Sequence, residues 1–284
     1  MKTHDDELTD KYLVDGFPLS STYDMHWVVK NEMGPNVLLL TESLCQVMTI
    51  EPGMRVLDMG CCTAMSSIFL AKEFGVQVWA TDLWISASEN LARIREAGLE
   101  DSVFPVHAEA HNLPFADDYF DAIVSMDSYH YYGTDVHYLE FHMLHHLKRG
   151  GQIGIVSPAS PVEIPTPPPE HLGNDWYWMN SVDWWERHWS RYPDMEVERC
   201  EPQPHGWESW VRWHELCLEH GRRDDWAEPE LRQLREDQGR YLGFVRMVGR
   251  RTHEMGSIAT TFVPELSSPA GVGEQHVTIH PSPY

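Results

Sequence analysis

Residues 56–67 read VLDMGCCTAMSS. A short apolar strand, Val56 to Met59, runs into a turn, and a helix begins near Met65. A strand, a tight turn and a helix start together expose backbone N–H groups and the positive end of a helix dipole. Loops of this kind commonly carry glycine at three alternating places, so that the backbone can bend sharply and approach a ligand. Here Gly60 holds the first place, Cys62 the second and Ala64 the third. Taken alone the unit is a weak signal, because many α/β proteins contain such turns. What surrounds it decides the reading.

On either side the chain alternates strand and helix. MRVLDM is bounded by Pro52-Gly53 and Gly60 and reads as a buried strand. SSIFLAKEFG follows as a helix closed by Gly75, and VQVWATD is the second strand. SASENLARIREAG has Ser86 as N-cap, Glu89 in the capping-box position and Gly98 at its end. SVFPVHAEA and FDAIVSMD give the third and fourth strands. DVHYLEFHMLHHLKRGG is expected to be one helix stopped by two glycines, followed by QIGIVSP as the fifth strand. MEVERC and YLGFVRMVGRR supply two late strands that should close the sheet as an antiparallel pair. Strands this apolar need cover on both faces. The expected fold is therefore α/β: a Rossmann-like, doubly wound seven-stranded sheet, mostly parallel with an antiparallel last strand. Ligands then sit outside the carboxyl ends of the strands.

The organisation expected along the chain follows from changes in composition. Residues 1–50 form an N-terminal helical cap, including GPNVLLLTESLCQVM, and residues 51–157 the nucleotide-type core. Residues 158–238 start in the proline-rich PASPVEIPTPPPEH and hold eight of the twelve tryptophans between 176 and 213. They read as an aromatic-rich lid insertion with helices near 181–192 and 207–220, and they include the sixth strand. Residues 239–254 are the closing strand. Residues 255–284, rich in Pro, Gly and Ser, read as a loosely ordered tail.

Composition excludes some functions. The formal charge of −23 and the lack of a long Lys/Arg run argue against a nucleic-acid partner. No apolar run is long enough for a membrane span, and the polar, acidic start MKTHDDELTDKY points to the cytoplasm. Five cysteines fit no disulfide framework, and Cys61 and Cys62 diverge as neighbours do. His142 and His146 share a helix face without a recognised companion ligand, so no metal is expected.

The chemistry rests on an ordered set of acids. Asp82 ends the second strand, 24 residues after Asp58, at a spacing suited to accepting hydrogen bonds from ribose hydroxyls. Glu109, in HAEAHNLPF after the third strand, suits an adenine amino group, with Ala108 and Ala110 keeping the wall thin. The set VLDMGC, VWATDLW, HAEAHNLPF, FDAIVSMDSYHY and LKRGGQIGI resembles the class I S-adenosylmethionine-dependent methyltransferases over residues 30–252. It is most similar to the bacterial small-molecule branch, type 11 or ubiquinone/menaquinone-methyltransferase-like. The resemblance implies S-adenosylmethionine as cofactor and S-adenosylhomocysteine as product. It implies Asp58 and Gly60 at the amino-acid end of the cofactor, with Cys62 beside its path. Asp82 would hold the ribose, Leu83, Glu109 and Ala110 the adenine, and Met126 would lie under the methionine part.

Methyl transfer from a sulfonium is an in-line displacement that needs an aligned acceptor and a destination for its proton. MDSYHYYG, after the fourth strand, should face the methyl, making Asp127, Tyr129 and His130 the candidate catalytic residues. His130 is the expected general base, because an unperturbed imidazole titrates at about pH 6.5. Trp176, Trp178, Trp185 and Trp189 are candidate contacts for a small organic acceptor, aromatic or from specialised metabolism, methylated at oxygen, nitrogen or carbon. His188 and His214 are alternative bases. A homo-oligomer stays open. Two rival functions remain: a fold relative that binds the cofactor without methyl transfer, cyclase-like or regulatory, and a nicotinamide-dependent oxidoreductase.

Overall fold

A computed structural model describes residues 16–31, 33–173, 176, 178–219 and 227–252. The expected tail at 255–284 and the first fifteen residues of the cap lie outside the described residues.

The opening strand is β1 (Arg55–Met59), whose residues after Arg55 are all buried. Parallel neighbours on both sides and helices on both faces require that apolarity. A seven-stranded sheet forms in the order β3-β2-β1-β4-β5-β7-β6, with β2 (Gln77–Asp82), β3 (Val103–His107), β4 (Phe120–Met126), β5 (Leu147–Ala159), β6 (Met195–Pro202) and β7 (Gly243–Arg251). Strands β1 to β5 pair in parallel, while β7 runs antiparallel to both β5 and β6. The fold is thus the expected Rossmann-like one with its reversed last strand. Strand order switches direction between β1 and β4, and that switch point opens a crevice at their carboxyl ends.

Three helices bring the first half over the sheet: α1 (Met25–Asn31), α2 (Val37–Cys45) and α3 (Met65–Phe74). Helix α4 (Ala87–Glu96) starts on the expected capping box, with the Ser86 and Glu89 side chains exchanging hydrogen bonds with each other's backbone. In the second half, α5 (Val182–Trp189) and α6 (Gly206–Glu219) match the two expected helices, and α7 (Ala227–Asp237) was not anticipated. One core packs α2, α3 and α4 on one face of the sheet and extends to Trp176, Trp210 and Leu234. The other face is filled by Tyr129, Tyr138, Trp185 and Trp189. Helix α6 also lays Trp213 and Leu216 against Val28 of α1 and Phe69 of α3.

The expected long helix at 135–151 is not formed. One short π-helical stretch (Leu139–Met143) and one 3₁₀ turn (Leu144–His146) stand there, and β5 begins at Leu147, so both glycines lie inside the strand. The cause is local competition. Asp118 and Tyr119 N–H groups donate to the His145 and His146 carbonyls, pulling the segment into the sheet edge ahead of β4. Tyr, Phe and His are also modest helix formers.

Candidate functional site

The loop after β1 keeps the course that glycines would give it. Gly60, Cys62 and Ala64 have φ of 73°, 49° and 61°, so all three places are left-handed. A side chain in that region costs about 1–2 kcal/mol, so Cys62 and Ala64 hold strained backbone. Several bonds fix the loop. Gly60 and Cys61 N–H donate to the Thr81 carbonyl at 2.8 and 3.1 Å. Cys62 N–H donates to Asp82 Oδ2 at 2.8 Å, and Asn90 Nδ2 donates to the Cys62 carbonyl at 2.8 Å. At Gly60 a Cβ would fall 1.9 Å from Ser128 Oγ, so this one place admits only glycine.

A cavity of about 190 Å³ opens above this loop. Gly60, Cys62, Asp82, Leu83, Glu109 and Ala110, all expected at the cofactor, line it together. Asp82 is buried, and its Oδ1 accepts from Trp84 and Ile85 N–H at 2.7 and 2.9 Å. Among the described residues Oδ2 accepts from Cys62 N–H alone, which leaves one of the carboxylate's four acceptor positions for a hydroxyl. Burial pushes Glu109 upward, but its bonds from His111 Nδ1 (2.7 Å) and N–H (2.8 Å) outweigh this and hold it below the usual range. Trp84, His111, Ser128, Tyr131 and Tyr132 line the cavity too. Each stands within two positions of a residue predicted from sequence, yet none carries a motif signal of its own.

Asp58 and Met126 do not reach this lining; both are buried at the strand ends beneath it. Asp58 Oδ2 accepts from the Ser66 and Ser67 hydroxyls at 2.5 and 2.6 Å, while Oδ1 is buried without a hydrogen-bond partner. Burial, opposed by the two serines and aided by Asp82, raises this carboxyl to about 6. A carboxylate oxygen kept this dry awaits a donor.

A second cavity, of about 370 Å³, lies beside the first and shares Asp127 and Tyr131 with it. Trp176, Trp178 and His130 line it as expected. Trp185, Trp189 and Tyr129 do not. They are buried in the second core, where the Tyr129 ring packs 5.7 and 5.8 Å from the two indoles. A role as acceptor contacts or acid is replaced by packing: each is enclosed on the far face of the sheet, and Gly133 is held against Tyr129 with no room for a Cβ. In their stead Trp210, from α6, and Gly34, Pro158, Glu230 and Gln233 complete the cavity. Only Pro158 among these belongs to a strand-end motif; the others come from separated stretches that carry none.

Asp127 follows β4 directly, with φ 50° and its N–H bonded to the Val156 carbonyl at 2.8 Å. Strained backbone of this kind gathers at functional sites. Gly34 packs against its carboxylate so closely that a Cβ there would lie 2.2 Å from Oδ2. His130 Nδ1 lies 3.1 Å from Ser157 Oγ, and its ring stacks on Trp178 at 4.9 Å. Burial lowers its pKa to about 4, well under the value expected for an exposed imidazole. His188 is enclosed in the core with Nε2 on the Gly133 carbonyl, whereas His214 faces the second cavity, 3.2 Å from Glu230 Oε1. At the opposite end of the sheet, Asp117, His145 and His146 bring donor atoms within 4.8 Å of one another. No helix among the described residues is long and apolar enough to cross a membrane.

Residues 56–151 match the family model described as a methyltransferase domain. Over 90 residues the chain is 36% identical to the methyltransferase GfsG of Streptomyces halstedii, covering 31% of this chain and 32% of that one. It thus matches about a third of the length of such curated relatives. Among solved structures, the cyclase SpnF superposes with a TM-score of 0.64 at 17% identity, covering 82% of this chain and 96% of that one. The geranyl diphosphate C-methyltransferase of Streptomyces coelicolor A3(2), solved with Mg²⁺, geranyl diphosphate and S-adenosylhomocysteine, gives 0.59 at 17% identity, covering 75% and 77%. At that identity the two structures speak for the fold.

Proposed function

We propose that the first cavity binds S-adenosylmethionine and that a methyl group passes from it to a small organic acceptor in the second, a reading supported by the methyltransferase-domain match over residues 56–151. The residues fit the cofactor. A buried acid at the end of β2 keeps an acceptor position for a ribose hydroxyl, and thin and aromatic walls at Ala110 and Trp84 suit a flat base. When bound, the cofactor supplies an electrophilic methyl on a sulfonium. Gly60 and the left-handed loop make space for it, Asp82 anchors the ribose side, and Glu109 with Leu83 receives the base.

One observation carries the reading: the two cavities share a wall at Asp127 and Tyr131. An in-line displacement needs donor and acceptor on either side of such a boundary, aligned and close. Asp127 stands there and takes the acceptor's proton. His130, neutral at physiological pH, orients the acceptor through its ring and its bond to Ser157 rather than acting as a strong base. Trp176 and Trp178 form the aromatic wall.

A second reading, cofactor binding without transfer, draws support from the same low basicity of His130. Incubation with methyl-labelled cofactor and a metabolite panel separates the two, since a bound cofactor that labels no acceptor favours the second. Titration calorimetry tests the cavity itself. Asp82→Ala should weaken S-adenosylhomocysteine binding by about 1–3 kcal/mol, the worth of lost bonds to a charged group. Unchanged affinity would mean the cofactor lies elsewhere.

A further inference from the structure

The second cavity has a chemistry of its own. Its aromatic walls are rigidly set: the Trp176 ring stands at 89° to Trp210 with centroids 5.8 Å apart, and at 40° to Trp178 at 5.9 Å. Trp176 Nε1 donates to Gln233 Oε1 at 3.2 Å, which fixes the indole plane. The Trp176 and Trp210 indoles meet edge to face and both line the cavity, and an indole-lined wall attracts a cation and has little to offer an anion.

The charges lining the cavity agree. Asp127 and Glu230 are its carboxylates, and no Lys or Arg lines it among the described residues. The other titratable groups are two imidazoles and the Tyr131 phenol, which burial pushes up and keeps neutral. His130 is held neutral by burial at physiological pH. His214 lies 3.2 Å from Glu230, so even with this imidazole charged the lining keeps one net negative charge, and two with it neutral. A phosphate or diphosphate placed here would meet two carboxylates and ring faces with no Lys or Arg among the described residues to pair with, and burying an unpaired charge is costly. Asp127 sits where the two cavities meet, and its position is fixed by Gly34 and by the Val156 carbonyl.

We propose that the acceptor is an amine that enters as its ammonium form, held against the Trp176–Trp210 wall and the carboxylates of Asp127 and Glu230. Asp127 takes the N–H proton before transfer; the freed nitrogen lone pair then forms the N–C bond as the methyl's C–S bond breaks, and S-adenosylhomocysteine leaves with that electron pair on sulfur. This rests on the methyl-transfer reading above, because it takes the second cavity to be the acceptor site. It excludes a phosphorylated acceptor bound without a divalent cation; the structurally similar enzyme was solved with geranyl diphosphate and Mg²⁺ together.

The test uses the full chain and a matched pair of probes. Choline and 3,3-dimethylbutan-1-ol have nearly the same shape and differ in one positive charge. Calorimetry with saturating S-adenosylhomocysteine should show choline binding at least about tenfold tighter than the alcohol, the scale of a desolvated cation–π contact, with inorganic diphosphate not binding. Trp210→Leu and Glu230→Gln should each erase most of that preference while S-adenosylhomocysteine affinity stays unchanged. Using both variants guards against Trp210→Leu failing to fold. Equal affinity for choline and the alcohol, or tighter binding of diphosphate, overturns the proposal. Failure of S-adenosylhomocysteine to bind at all overturns the methyl-transfer reading instead, so the two failures are told apart.

Discussion

The two cavities share a wall, yet they are assembled in opposite ways. The first takes its lining from residues 59–62, 82–84, 109–111 and 127–132, each following directly on a strand of one half of the sheet. The second takes Gly34 from the N-terminal region, Pro158 from the end of β5, the Trp176–Trp178 stretch from the loop that follows, Trp210 from α6 and Glu230 from α7. The first is therefore fixed by the sheet: once β1 to β4 pair in register, their ends must meet. The second exists only if helices distant in sequence dock correctly, so its shape and preference are free to change while the first is conserved by topology. A fold relative can keep a cofactor site and exchange its chemistry in just this way.

The sharpest break in the comparison concerns four tryptophans that look alike in sequence. Trp176 and Trp178 face the second cavity, while Trp185 and Trp189 are sealed in the core opposite. Trp189→Ala should cost about 3–5 kcal/mol of stability, as expected for truncating a fully buried indole, read as a lower denaturation midpoint in urea. Trp178→Ala should cost far less and act on acceptor binding. If the two variants lose similar stability, the second cavity is packed core rather than a site.

This split also shows where the sequence can be read and where it cannot. Strands β1 to β4 and the capping box at Ser86 and Glu89 were legible because apolar runs and caps are local signals. The acids at 82 and 109 were legible for the same reason, each lying just past a strand. Tyr129 was misplaced because it follows a strand end as a site residue does, yet its short 3₁₀ turn directs it into the core. Alternation along a helix gives the buried face but not what covers it, so Trp185 could not be told from a ligand contact. Helix α7 was missed because Pro229 reads as a breaker, although a proline in the first turn is well tolerated. The segment at 135–151 went wrong through long-range bonds that no local pattern reveals.

The two cavities also carry opposite pH signatures. Burial raises Asp58, beneath the first, from 3.8 to about 6. The folded state then holds more protons than the unfolded one across that window, so this contribution is full below 3.8 and is lost as pH rises through 6. Burial lowers His130, in the second, from 6.5 to about 4. Its contribution is full above 6.5 and is lost as pH falls through 4. The two slopes oppose each other between pH 4 and 6. Asp58→Asn should make stability rise more steeply with pH than in the wild type, and His130→Gln should make it rise less, each changing the difference across the window by on the order of 2 kcal/mol. Urea melts at several pH values measure the slopes; a variant that leaves the slope unchanged would show that its group is solvated.

The smallest effect concerns the residue that first made the loop look irregular. Cys62 holds φ 49°, a backbone state that a side chain resists and glycine enters freely. Cys62→Gly removes that strain but loosens the unfolded chain, a loss of about 0.4–1 kcal/mol in the opposite direction. It also gives up the weak contact between Cys62 Sγ and the Gly60 carbonyl. The balance should be a gain of about 0.5 kcal/mol, seen as a small rise in Tm, with S-adenosylhomocysteine affinity unchanged. That outcome would mean the loop works through its backbone alone, in keeping with a first cavity set by topology. A variant of normal stability that binds the cofactor product less well would instead make the cysteine side chain part of the site. The first cavity would then share the second's dependence on particular side chains, and the contrast between the two would fail.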